Sequence, residues 1–118
     1  MTIAADIAVV VVALLHLYFL VLEMFLWDKP LGRRIFGLSP EFASASKSLA
    51  MNQGLYNGFL AAGLVWGLSL GAAGNPVKIF FLACVVVAGI FGAATASRNI
   101  LWVQAAPGAA ALALVWLS

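Results

Sequence analysis

Six side chains could do polar chemistry in an otherwise apolar chain: His16, Glu23, Asn52, Gln53, Asn57 and Gln104. His16 and Glu23 are seven residues apart, so on a helix they share a face, about 10 Å apart along the axis. A histidine and a carboxylate so placed form a pair able to handle protons. Gln53 and Asn57 are four apart and share a face, whereas Asn52 points about 100° away from Gln53. Amides donate and accept at once, so the set suits recognition of a polar headgroup. A plainer role stands beside this one. Asn, Gln and His often serve as hydrogen-bonding glue between membrane helices, at about 0.6 kcal/mol each. Glu23 could equally pair with Lys29 or Arg98 at the membrane boundary, and His16 could donate to a backbone carbonyl.

Other chemistries find little material. One histidine and one carboxylate make a poor metal site. No GxSxG, HExxH or glycine-rich phosphate loop occurs, and no nucleophile presents itself. No catalytic residue, metal or cofactor is therefore assigned. The lone Cys84 lies in an apolar run and reads as a small buried hydrophobe.

The elements that must position these residues are helices in a membrane. Of 118 residues 65% are hydrophobic and 8% charged, and the mean hydropathy is +1.12. A soluble surface needs about a quarter of residues charged. Six basic against four acidic residues, with no basic run, exclude a nucleic-acid binder. Four apolar stretches fall near the ~20 residues a spanning helix needs: residues 3–27, 49–71, 77–96 and 100–117. They are continuous rather than alternating and rich in Ala and Leu, which predicts helices. The expected fold is all-α, a polytopic membrane protein with a single four-transmembrane-helix bundle over residues 1–118. The first stretch lacks the basic n-region of a signal peptide, Asp6 being the only charge before Glu23, and is expected to be a retained span.

Punctuation marks the ends. Asp28-Lys29-Pro30 closes the first helix. Ser39-Pro40-Glu41 opens the second, with serine as cap, proline at the first position and an acid at the positive dipole end. Asn75-Pro76 opens the third, with Asn75 as cap. Thr95–Asn99 is a tight connection, and Pro107 bends the last helix. The first connection carries Lys29, Arg33, Arg34 and Lys47, the third carries Arg98, and the second only Lys78. The positive-inside rule puts the first and third in the cytoplasm and both termini outside. Ile35, Phe36 and Leu38 predict a short interfacial segment in the first loop, anchored by its arginines. Trp27, Trp66, Trp102 and Trp116 fall toward span ends. Gly54, Gly58 and Ala62 form one small-residue stripe of the second span and Gly63, Gly67 and Gly71 another, about half a turn round. Opposed smooth faces suit a helix between two neighbours, within one chain or in a homo-oligomer.

At HLYFLVLEM (16–24), FGLSPEF (36–42), NQGLYNGFLAAGL (52–64), GIFGAAT (89–95) and QAAP (104–107), the chain resembles the small bacterial membrane proteins catalogued as domain of unknown function 1304. The likeness covers nearly the whole chain. It implies four spanning helices in a bacterial inner membrane and no particular activity. His16, Glu23, Asn52, Gln53, Asn57 and Gln104 occupy motif positions of that family, which implies a shared site.

The expected function is therefore a multi-pass inner-membrane protein with a polar pocket on the cytoplasmic side for a lipid or a small amphipathic molecule. A small proton-coupled transporter and a membrane enzyme on a lipophilic substrate are the alternatives. Glu23 is near the boundary for an exporter, and the missing nucleophile weighs against an enzyme.

Overall fold

A computed structural model describes residues 2–118, and every regular element among them is helical. The order is α1 (Thr2–Met24), α2 (Pro30–Phe36), α3 (Pro40–Ser69), a 3₁₀ turn (Gly71–Gly74), α4 (Asn75–Thr95), a π-helical turn (Leu101–Ala105) and α5 (Ala106–Leu117). Two stretches are both long and apolar enough to cross a membrane, Ile3–Met24 and Gly71–Thr95, with mean hydropathies of 2.5 and 2.4. Leu101–Leu117 is apolar but shorter. α3 has the length, but Asn52, Gln53 and Asn57 interrupt its apolar run.

One local signal acts as its chemistry dictates, and three act differently. The Phe42 amide donates to Ser39 Oγ at 3.1 Å, so α3 starts at Pro40 with serine as its cap. α1 ends at Met24, before the Asp28-Lys29-Pro30 stop, and Pro30 instead opens the separate helix α2. Asn75 is not the cap of α4. The 3₁₀ turn runs directly into the helix, Gly74 takes the cap position, and no side chain caps it. Pro107 acts upstream of itself. It has no N–H to give to the preceding turn, and the widened π-helical turn lies just before it.

The chain forms two compact units. One comprises the segment up to Leu14 together with Leu60–Ser118, the other Leu15–Phe59. In the first, Ala5, Val9, Val12 and Ala13 of α1 pack with Leu64 of α3, Leu82 and Val85 of α4, and Ala111 and Val115 of α5. The α1 positions recur at four and three residues, the spacing of one helix face. Small residues set how near the helices come. A β-carbon at Gly89 would lie 2.6 Å from the Ala105 nitrogen, so α4 lies directly against the backbone of the π-helical turn.

In the second unit α1 packs on α3. A β-carbon at Gly54 would lie 2.5 Å from Met24 Cγ and 3.2 Å from the Leu20 carbonyl oxygen. The connection between them is tied down as well. Trp27 Nε1 donates to Ser46 Oγ at 3.0 Å, its ring lies 4.9 Å from that of Phe36, and Lys47 pairs with Asp28 at 3.2 Å. The two small-residue stripes of α3 thus serve different neighbours. Gly54 and Gly58 face Leu20 and Met24 of α1, while Gly63 and Gly67 face Phe81 and Lys78 of α4.

Candidate functional site

Buried positions on α3 include Ala43, Ala50, Gly54, Asn57, Ala61 and Leu64, spaced by seven and then by fours and threes, with Gly63 and Gly67 buried on the other stripe. This is the seam by which a helix meets its neighbour. Asn57 occupies one seam position and is 4% exposed. On α1, Val9, His16 and Glu23 follow one another at sevens. Val9 and His16 are fully buried, and Glu23 is half-buried. Each of the two helices thus carries polar side chains where apolar ones would pack.

Two of these meet. Asn57 Nδ2 donates to Glu23 Oε1. Gly54, three residues before Asn57, allows it, because its missing β-carbon lets the helix lie against Glu23 Cβ and Met24. Among the described residues no Lys or Arg lies within ion-pair distance of Glu23. Its hydrogen-bond partner is a neutral amide. His16 packs edge-on against Phe19, the ring centroids 5.4 Å apart and the planes at 70°.

The remaining expected site residues take other places. Asn52 and Gln53 are exposed on α3, outside the Glu23–Asn57 contact. Gln104 is half-buried on the π-helical turn, in the other compact unit. Two open, apolar surface grooves lie on α4 and α5, one along Ile79, Ala83, Ala109 and Trp116, the other along Phe80, Cys84, Val87 and Phe91.

A second polar cluster escapes sequence reasoning. Lys78 is 3% exposed, and its Nζ donates to Asp6 Oδ1 at 3.2 Å and to Asn75 Oδ1 at 3.3 Å. Counted by position, Lys78 belongs to a loop. The signal that could have found it is isolation: Lys78 is the only charged residue between Lys47 and Arg98, and Asp6 the only one before Glu23. In so apolar a chain, two lone opposite charges have few other partners. Outside the helical core, the Lys47 ammonium beside Asp28 holds that carboxyl below its ordinary range by a hydrogen bond.

Comparison with known proteins places the chain. The family described as protein of unknown function (DUF1304) matches residues 10–116. The chain belongs to the DUF1304 family. One relative, the uncharacterized protein YpaA of Lactococcus lactis subsp. lactis (strain IL1403), is 30% identical over 117 residues, which is 98% of this chain and 97% of YpaA. No solved structure matches. The family description carries no activity, so the argument for function rests on the side chains.

Proposed function

We propose that this DUF1304 protein is a multi-pass protein of the bacterial inner membrane, crossing it four times with both termini outside. In this reading the Glu23–Asn57 pair is the polar centre of a site in the cytoplasmic half, which holds a lipid or a small amphipathic molecule by its headgroup. Exposure supports the membrane placement. Only 28% of the most apolar part of α1 and 22% of that of α4 is buried, whereas the core helix of a soluble protein would be mostly covered. Ile3, Ile7, Val87 and Phe91 are all more than half exposed. Trp66, Trp102 and Trp116 are exposed as well, as interface anchors should be.

The Glu23–Asn57 hydrogen bond carries the reading of the site. A carboxylate on a helix of mean hydropathy 2.5 is costly and defaults to function. The amide satisfies one of its oxygens. A headgroup that donates hydrogen bonds, such as a primary ammonium, is the chemical complement of a carboxylate set beside an amide.

Two measurements test this. Fusions of green fluorescent protein and alkaline phosphatase after Gly37, Ala73, Ser97 and Ser118 read the topology. Fluorescence is expected at the first and third positions and phosphatase activity at the second and fourth. Native mass spectrometry of the detergent-solubilised protein, with lyso-phosphatidylethanolamine as probe, reads the site. Glu23→Gln with Asn57→Leu should reduce retention of the probe by about tenfold, the loss of roughly one charge-assisted hydrogen bond. Equal retention by wild type and double variant, with helix content intact, refutes the site. If Asn57→Leu alone abolishes folding, the pair is structural glue.

A further inference from the structure

The segment joining α1 to α3 carries more positive charge than its own carboxylates answer, and it holds a fixed shape. Asp28 is taken by Lys47 at 3.2 Å, and Glu41 lies in the first turn of α3, at the positive end of that helix. Among the described residues Lys29, Arg33 and Arg34 have no carboxylate within ion-pair distance. The segment is tied at both ends by the Trp27–Ser46 hydrogen bond, the Trp27–Phe36 ring contact and the Asp28–Lys47 pair. Gly32 sits on the Leu26 carbonyl so tightly that a β-carbon there would lie 1.9 Å from the oxygen. α2 is therefore a rigid shelf. Leu31 and Ile35, four apart and so on one face, are 45% and 44% exposed, and Arg34 is exposed on the adjoining face.

We infer that α2 is an anionic-phospholipid binding surface, with Leu31 and Ile35 entering the acyl boundary, Lys29 and Arg34 holding phosphate and glycerol headgroups, and the half-buried Arg33, whose Nε has no hydrogen-bond partner among the described residues, adding its positive charge behind them. The inference rests on the membrane placement proposed above but not on the Glu23–Asn57 site. Two terms recognise the partner. Apolar side chains on a seven-residue helix outside the spans need covering, and an acyl boundary covers them. The basic groups select the leaflet's negative lipids, each worth about fivefold in affinity. A second protein chain would have to supply an acidic surface and an apolar one together, and this chain has too few carboxylates to offer that to a copy of itself.

The test is lipid competition on the full chain. Protein solubilised in a neutral detergent is offered equal amounts of phosphatidylglycerol and phosphatidylcholine, and bound lipid is counted by native mass spectrometry. Wild type should retain phosphatidylglycerol at least tenfold more than phosphatidylcholine. Arg33→Gln with Arg34→Gln should bring that ratio close to one, and Leu31→Ser with Ile35→Ser should lower retention of both lipids. Lys29→Gln with Arg34→Gln is the second variant if the first misfolds, and it should lower the ratio similarly. Glu23→Gln with Asn57→Leu should leave the ratio unchanged. Carbonate extraction of cell membranes tests the placement separately: protein that stays in the membrane but shows no lipid preference overturns the inference alone. A preference lost with Glu23 rather than with the arginines, or a dimer lost in the Leu31→Ser, Ile35→Ser variant, also overturns it.

Discussion

Replacing Asp6 with alanine leaves the Lys78 ammonium buried, with one neutral acceptor, Asn75 Oδ1 at 3.3 Å. The lysine side chain is 4% exposed and the aspartate side chain 46%. Removing one partner of a fully buried ion pair costs about 3–5 kcal/mol, and exposed pairs are worth about 0.2–1 kcal/mol. This pair lies between those limits, because water reaches one side of it only. We expect Asp6→Ala to cost about 2 kcal/mol. Lys78→Met should cost much less, under about 1 kcal/mol, since the bared carboxylate can be solvated and the methionine keeps an apolar stem beside Gly67. The double variant should then resemble Lys78→Met alone, giving a coupling of about 2 kcal/mol, the whole cost of Asp6→Ala, because the charge left stranded by Asp6→Ala is gone. The assay is unfolding in mixed micelles of rising dodecyl sulfate content, followed by helical circular dichroism. Lys78→Met costing as much as Asp6→Ala, or costs that simply add, would refute the argument that burial puts the penalty on the lysine.

Two further outcomes follow from the packing and from the charged loop. Gly89→Ala should cost about 1–2 kcal/mol, an overpacking loss of about 2–3 less the ~1 gained in helix propensity, because the new methyl meets the Ala105 backbone at 2.6–2.8 Å. Gly92→Ala should be close to neutral, since its methyl meets only the Ile100 side chain, at 3.1 Å and beyond; the same micelle titration compares them, and equal costs would contradict the geometry. Lys47 lowers the Asp28 carboxyl below its ordinary value of 3.8, so the folded loop is favoured at pH above 3.8 and loses that contribution as pH falls through the lower, folded value. Hydrogen exchange of the 25–47 amides should quicken on acidification below about pH 4 in wild type, and Asp28→Asn should lack that step.

Much of this was legible in the sequence for identifiable reasons. The Ser39-Pro40-Glu41 start needs only local chemistry, and it is formed. The long apolar runs of α1 and α4 are a matter of composition, and both are single helices. Glu23 and Asn57 stood out as polar residues in apolar runs, and they meet. The finer choice among the amides was not legible. Gln53 and Asn57 differ by about 40° around the helix, yet the edge of the buried seam falls between them, so Asn57 is buried and Gln53 is exposed. Only the neighbouring helix decides where that edge lies. The Lys78–Asp6 pair is not legible in the sequence because it joins residues 72 apart, and position alone places Lys78 in a connection. Asn75 is not the cap because the 3₁₀ turn before it, whose Gly74 lies against the Gly67 carbonyl, already supplies the helix start.

The four acidic residues bring these threads together. Asp6 is answered by Lys78, Asp28 by Lys47, and Glu41 by the positive end of α3. Only Glu23 has a neutral partner, Asn57. If hydrogen-bonding glue were all that α1 and α3 needed, a pair of amides would serve without the cost of a carboxylate in an apolar helix. An acid there, paired with a neutral amide and with no cation among the described residues, is suited to a partner that carries hydrogen-bond donors. A donor on a bound molecule is the simplest group that would complement it, and this is why Glu23 and Asn57, rather than the open apolar grooves on α4 and α5, are the residues on which the proposed site depends.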